Sequence, residues 1–387
     1  MTAGPSHIHC QRSEGLVAVP FLDGAFVHDM VTNTFHRVGP GAAAILLAED
    51  EVCVAQLIEM VTAGAGIDMG VAEAAVLTGI ESLRSLGLVG RLDGFVAPDP
   101  IGGSELPAED MHTGAPFVVH DKTVLFRSTE WGLLDRIEAV LGVAAPRSEI
   151  VADSTVNFDL VAQADGPNVT LYASEEWEFP TEAGLIFQLP GVINDFAARS
   201  HTTPVLHAGG VVTPSGRLLL VSGGVDHGKS TLIASLVQRG CRYLGDELIG
   251  IEPLTLDALP YPKPFQLDET SREILGVSAA NPPNVRPQEV APDCDLVLDP
   301  LGPIDRVIIS CFELGVRRQV EELDVDSAAK ALLDQTTNLR RVGEPGLAAI
   351  CKLATRVPVT RIVHGDSVEL AADLLAEDED LGVDQSA

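Results

Sequence analysis

Residues 221 to 231 read VSGGVDHGKST, which satisfies the pattern G-x-x-x-x-G-K-[ST] between an apolar strand and an amphipathic helix. That context is what a phosphate-cradling loop requires. From Gly223 through Gly224, Val225, Asp226, His227 and Gly228, the small residues leave room for backbone N–H groups to curl around an anion. Lys229 can reach the β- and γ-phosphates of a nucleoside triphosphate, and the Ser230 hydroxyl, followed by Thr231, can hold Mg²⁺ at a helix N-terminus. Arg217 to Ser222 (RLLLVS) reads as a buried strand, while Leu232, Ile233, Leu236 and Val237 recur at helical spacing until Gly240.

The surroundings of the loop add chemistry. Val205 to Thr213 reads as a strand carrying His207, and Pro214-Ser215-Gly216 as the turn that returns the chain into the loop strand. A further strand, Cys241 to Leu244, delivers Gly245-Asp246-Glu247. Two carboxylates at a strand end beside a phosphate loop can serve as Mg²⁺ ligand and as base toward an acceptor hydroxyl. The metal-ligating expectation is therefore Ser230, Asp246 and Glu247, and the catalytic one His207, Lys229, Asp246 and Glu247.

Charge narrows the partners. The 56 acidic residues against 25 basic ones give a formal net charge of −31, which repels nucleic acid and anionic membrane over most of the surface. The six cysteines are scattered without a C-x-x-C pair, and neither a signal peptide nor a bilayer-length apolar span is evident, so reduced thiols and a cytoplasmic location are expected. Homo-oligomerisation stays open. His7, His9 and Cys10 lack a fourth partner for a metal, and residues 1 to 13 are expected to be loose.

From 14 to 97 the pattern is strands at Leu16 to Leu22, Ala25 to Asp29 and Thr34 to Val38, helices at Gly41 to Ala48, Val52 to Ala63 and Val71 to Leu86, and a closing hairpin, Leu88 to Val96. This is a small winged-helix pattern. Through Phe26-Val27-His28-Asp29, Phe35 to Leu46 and Gly87-Leu88-Val89 it resembles the PqqD-like recognition element of ribosomal-peptide biosynthesis. The resemblance implies a precursor-peptide leader added as a strand along Thr34, Phe35, His36, Arg37 and Val38 and packed on a helix face around Val76, Ile80 and Leu83. Residues 98–116 read as a linker, 117–203 as a lobe without a catalytic constellation, and 377–387 as a solvated acidic tail.

Over roughly 116 to 376 the chain resembles the HPr kinase family, specifically shorter relatives from peptide-modification gene neighbourhoods. The residues concerned are His207-Ala208, Gly223 to Leu232, Leu236 to Leu248 and Leu259 to Lys263-Pro264. That likeness implies an α/β fold, a mixed-sheet phosphate-loop kinase domain at 204–376, and ATP- and Mg²⁺-dependent transfer of a γ-phosphoryl group to a Ser or Thr hydroxyl of a peptide or small protein. It places the base at Asp246 and the strand-end histidine at His207. Glu247 stands where the bifunctional members have aspartate, so reverse dephosphorylation is not expected. The loop also looks like that of translational GTPases. Asp299-Pro300-Leu301-Gly302 matches D-x-x-G, yet no N-K-x-D follows, and kinase is the preferred expectation. The same loop would also serve transfer to a peptide carboxylate, or a nucleotide-switched peptide chaperone without catalytic activity. Lys263, between two prolines, could touch nucleotide or acceptor or be a bland loop lysine; Arg286, Arg340 and Arg341 read as surface arginines that balance local charge, and His227 as pointing outward from the loop.

Overall fold

The computed structural model describes residues 9–48, 52–90, 103–104, 106, 111–120, 122–141, 155–162, 168–199, 202–224, 227–280 and 282–384. It is a mixed α/β chain in two compact units, Met1–Pro98 with Leu339–Lys352, and Asp99–Asn338 with Leu353–Ala387.

In the first unit, Leu16–Phe21, Gly24–Asp29 and Thr34–Val38 form an antiparallel sheet in that order. The turn before the last strand is set locally. The Asp29 carboxylate accepts the amides of Val31 (2.9 Å) and Thr32, and Asn33 takes the left-handed φ of 57° that asparagine tolerates. Helices Pro40–Leu46, Val54–Ala65 and Met69–Ser85 follow. The last buries Ala72, Val76, Ile80 and Leu83, which join Val27, Val38, Ile45 and Leu57 in one core.

Several expectations change here. Val76, Ile80 and Leu83 are 8%, 4% and 4% exposed, so their stripe faces the unit's own interior and offers no open face to a peptide. So small a unit must commit its helix stripe to its own core. Thr34–Val38 remains a sheet edge. Part of the N-terminal segment expected to be loose is built into this unit: His9–Cys10 pairs with Val52–Cys53 and Arg12 bridges Val89. That pairing is also why the second helix begins at Val54 and not Val52. Most of the expected closing hairpin, including Asp93-Gly94, lies outside the described residues. Leu339–Lys352, assigned from sequence to the kinase region, belongs to this unit, where Arg340 donates to the Val31 carbonyl at 2.8 Å. A non-helical Gly343 (φ 56°, ψ −137°) interrupts the helix Leu339–Arg356 that contains it, a break that helical periodicity alone does not reveal.

Among the described residues the second unit holds two large sheets and a short strand pair, Phe265–Gln266 with Asn284–Val285. In the first, Glu176–Phe179, Val169–Tyr172, Thr155–Ala162, Lys122–Ser128 and His112–Thr113 lie side by side, and Trp131–Leu141 and Glu182–Arg199 pack on them. The strand His112–Thr113 and the Ser104 amide bonded to Asn157 O (2.8 Å) show that the expected linker 98–116 is partly built into this sheet. In the second, the order is Ala258–Leu259, Leu248–Ile251, Val205–Val212, Leu218–Ser222, Arg306–Phe312, Val359–His364 and Gln319–Glu322, and Arg242–Gly245 also pairs with Val205–Val212. Leu218–Ser222, Arg306–Phe312 and Val359–His364 are mutually parallel. Val205, Leu248 and Tyr261 share one core with Phe126, Phe158 and Phe196, so 117–203 and the phosphate-loop sheet are packed as a single body.

The acidic tail is not simply solvated. The helix Ser367–Asp384 continues through it; Asp378 is buried, bonded to Ser215 and 3.1 Å from Arg217, and Glu377 pairs with Arg306 and Arg318. These basic partners on the sheet hold carboxylates that composition alone assigns to water. Among the described residues no helix is long and apolar enough to cross a membrane.

Candidate active site

The strand Leu218–Ser222, buried throughout, ends at Gly223, where an added Cβ would stand 2.5 Å from the Ser310 carbonyl oxygen. Only glycine fits so close to a neighbouring strand. Val225 and Asp226 lie outside the described residues. The loop closes at Gly228, whose φ of 73° makes it the left-handed N-cap of the helix Lys229–Gln238, and no side chain caps that end. The first turn therefore presents uncapped N–H groups and the positive end of the helix dipole, as an anion site needs. His227 does not point outward as expected. Its Nδ1 lies 3.3 Å from the Ser310 carbonyl, and Ser310 Oγ donates to the His227 carbonyl (3.1 Å), which ties the loop to the adjacent strand. Thr231 Oγ1 lies 2.9 Å from Ser271 Oγ.

Lys229, 7% exposed, places its ammonium 2.6 Å from Nε2 of His207. The Gln335 side chain also bonds this imidazole, and the Ser222 hydroxyl donates to the His207 carbonyl at 2.8 Å. Burial, then the charge of Lys229, hold His207 below its ordinary value, which fits a neutral ring accepting from the lysine. Burial likewise lowers Lys229, against the raising fields of Asp246 and Glu247.

Asp246 and Glu247 sit between Arg242–Gly245 and Leu248–Ile251, both paired to the His207 strand with a register shift at Gly210/Val211. Gly245 packs so closely that a Cβ would come 2.7 Å from the Tyr261 carbonyl oxygen. Asp246 is 2% exposed and hydrogen-bonded to Ser230, and its Oδ1 is buried with no partner. Burial pushes it up to about 6, opposed by Lys263 and Lys229.

Glu247 has a different fate from the one its sequence position suggested. Its Oε2 lies 2.7 Å from Lys263 Nζ, and Asn194 bonds the same carboxylate. Burial raises Glu247, but the charge and hydrogen bonds of Lys263 with the Asn194 bond outweigh it and hold the carboxyl below its usual range. Lys263 lies in a loop but is not a bland one: its side chain is 1% exposed, it also reaches the Pro264 carbonyl, and its own carbonyl accepts from the Tyr243 hydroxyl at 2.8 Å. Tyr261 donates to Asn194 at 3.0 Å. Sequence reasoning does not find the roles of Lys263, Asn194 and Gln335. Only the proline-flanked lysine carries any signal, since the other two come from distant segments.

The open oxygen of Asp246, with the Ser230 hydroxyl beside it, is a hard donor set that suits Mg²⁺. Glu247, committed to Lys263, drops out of that set. The described residues contain no cluster of three or more His, Cys, Asp or Glu side chains that could hold a metal ion. The D-x-x-G match lies elsewhere: Leu301 bridges Ala258 on the outermost strand at the other side of the sheet from Arg306–Phe312. Arg286 is engaged by Glu289.

No protein-family model matches the chain, and no curated protein matches it in sequence. Among solved structures it is similar to the Hpr(Ser) kinase/phosphatase from Coxiella burnetii, at 13% identity over 47% of this chain and 93% of that one, with a TM-score of 0.25.

Proposed function

We propose that the chain is an ATP- and Mg²⁺-dependent kinase that transfers a γ-phosphoryl group to a Ser or Thr hydroxyl of a precursor peptide or small protein. The observation that carries this reading is the buried Asp246 carboxylate, one oxygen without a partner, beside Ser230 and the phosphate loop. Mg²⁺ would supply charge neutralisation across the phosphates and be held by Ser230 and Asp246. Lys229 and the N–H groups opening its helix bind the phosphates. His207, neutral, accepts from Lys229 and orients it. In the transfer, the bond from the γ-phosphorus to the bridging oxygen breaks as a bond to the acceptor oxygen forms, and the hydroxyl proton passes to Asp246. In the metal-free protein burial pushes this carboxyl up to about 6, so it is ionised at neutral pH. Lys263 and Glu247 balance each other's charge behind it.

The PqqD-like resemblance supports leader binding by the first unit, along the edge strand Thr34–Val38. The test is a γ-labelled ATP assay on a precursor peptide with wild type, Lys229→Ala and Asp246→Asn. Label on the peptide that Lys229→Ala abolishes and Asp246→Asn reduces by about 10²- to 10⁴-fold is the expected result. Turnover supported by GTP but not ATP, or tight ATP binding with no labelled peptide, would overturn it.

A further inference from the structure

In the second unit a groove of about 650 Å³ runs along the helix Glu182–Arg199 and the short paired strands Phe265–Gln266 and Asn284–Val285. Trp177 and the 68%-exposed Phe187 form its apolar wall; Asp195, Gln266, Asp268 and Asn284 supply its polar groups. Asn284 is 7% exposed, yet its Oδ1 is buried without a partner, an acceptor that lacks a donor. Such an atom costs free energy unless a ligand satisfies it. Both charged residues in the lining are carboxylates. Asp195 lies 3.1 Å from Arg199 on the same helix, and the backbone and side-chain bonds from Ser271 hold Asp268 below its usual range, so it stays anionic.

Two lining residues neighbour, along the chain, residues that hold Glu247. Asn194, which bonds Glu247 and accepts from Tyr261, precedes Asp195 in the helix, and Gln266 follows Lys263 by three residues.

We propose that this groove binds an arginine side chain of the acceptor peptide. A guanidinium is flat, stacks on aromatic faces, carries five donors and no acceptor, and is always charged, which matches an aromatic wall, two carboxylates and an orphan amide oxygen. The peptide context rests on the kinase reading; the binding site itself does not.

The experiment therefore uses the full chain without nucleotide or metal. Nα-acetylarginine methylamide is titrated against the neutral, nearly isosteric citrulline analogue, followed by NMR of the Trp177 indole N–H. A saturable shift with arginine, at least about tenfold weaker with citrulline, is expected from the loss of a charge-assisted bond. Phe187→Ala, at an exposed position, and Asn284→Leu, which removes the orphan oxygen, should each weaken arginine binding while the thermal midpoint holds. Should Asn284→Leu fail to fold, Phe187→Ala alone decides. Equal binding of citrulline or of the lysine analogue, no shift, or full binding in Phe187→Ala would overturn the proposal. Arginine binding by a chain that phosphorylates nothing would remove the kinase reading and leave this site standing.

Discussion

The Lys229 ammonium stands 2.6 Å from Nε2 of His207, so the lysine that a phosphate loop offers its nucleotide is already held from the neighbouring strand. His207 must then be neutral on that side, and burial with the charge of Lys229 keeps it so. By side-chain NMR, His207 should titrate below 6.5, and Lys229→Ala should move it upward. An imidazole that titrates identically in both proteins would mean that the two groups do not meet in solution.

Asp246 links the site to stability. Its carboxyl rises from 3.8 unfolded to about 6 folded, chiefly by burial. A raised carboxyl favours the folded state below the unfolded value, and that contribution is lost as pH climbs through the folded one. In the metal-free protein the loss should occur between about pH 4 and 6 and reach at most about 3 kcal/mol, at 1.36 kcal/mol per unit. Urea unfolding across that window should show the decline in wild type and not in Asp246→Asn. Parallel pH profiles for the two would contradict the buried carboxyl.

The Lys263–Glu247 pair gives a third outcome. Removing one member of a buried pair typically costs roughly 3–5 kcal/mol, and because Glu247 keeps 29% exposure the low end applies to Lys263→Met. The double variant Lys263→Met/Glu247→Gln should recover part of the loss, since it leaves no lone charge. A cycle measured by denaturant unfolding with no coupling would dissolve the pair.

Peptide docking can be read at the backbone. If a leader adds along Thr34–Val38, hydrogen exchange at those amides should slow on its addition, while Val76, Ile80 and Leu83, already in the core, stay unchanged. Protection confined to other segments would remove the edge as the docking site.

What sequence could reveal divides by distance along the chain. The helix Trp131–Leu141, the helix Glu182–Arg199, the hairpin into the loop and the loop itself follow from periodicity and turn residues within a short window. The charge balance of the site does not. Glu247 meets a lysine sixteen residues later and an asparagine from another sheet's helix, so a metal-ligand reading that holds locally is changed by tertiary pairing. The same holds for the stripe Val76, Ile80 and Leu83, since helical spacing shows that a face is apolar and not what covers it.

The clasp of Asp378 on Ser215 and Arg217 joins segments that are synthesised far apart in time. The turn that leads into the loop strand waits on a carboxylate made more than 160 residues later, and the helix carrying it packs on the phosphate-loop helix. A nascent chain that has emerged as far as Gln238 owns every residue of the nucleotide motif yet lacks the parallel strands Arg306–Phe312 and Val359–His364 and that closing helix. A ribosome-bound fragment that ends there must shield the apolar strand Leu218–Ser222 by other means.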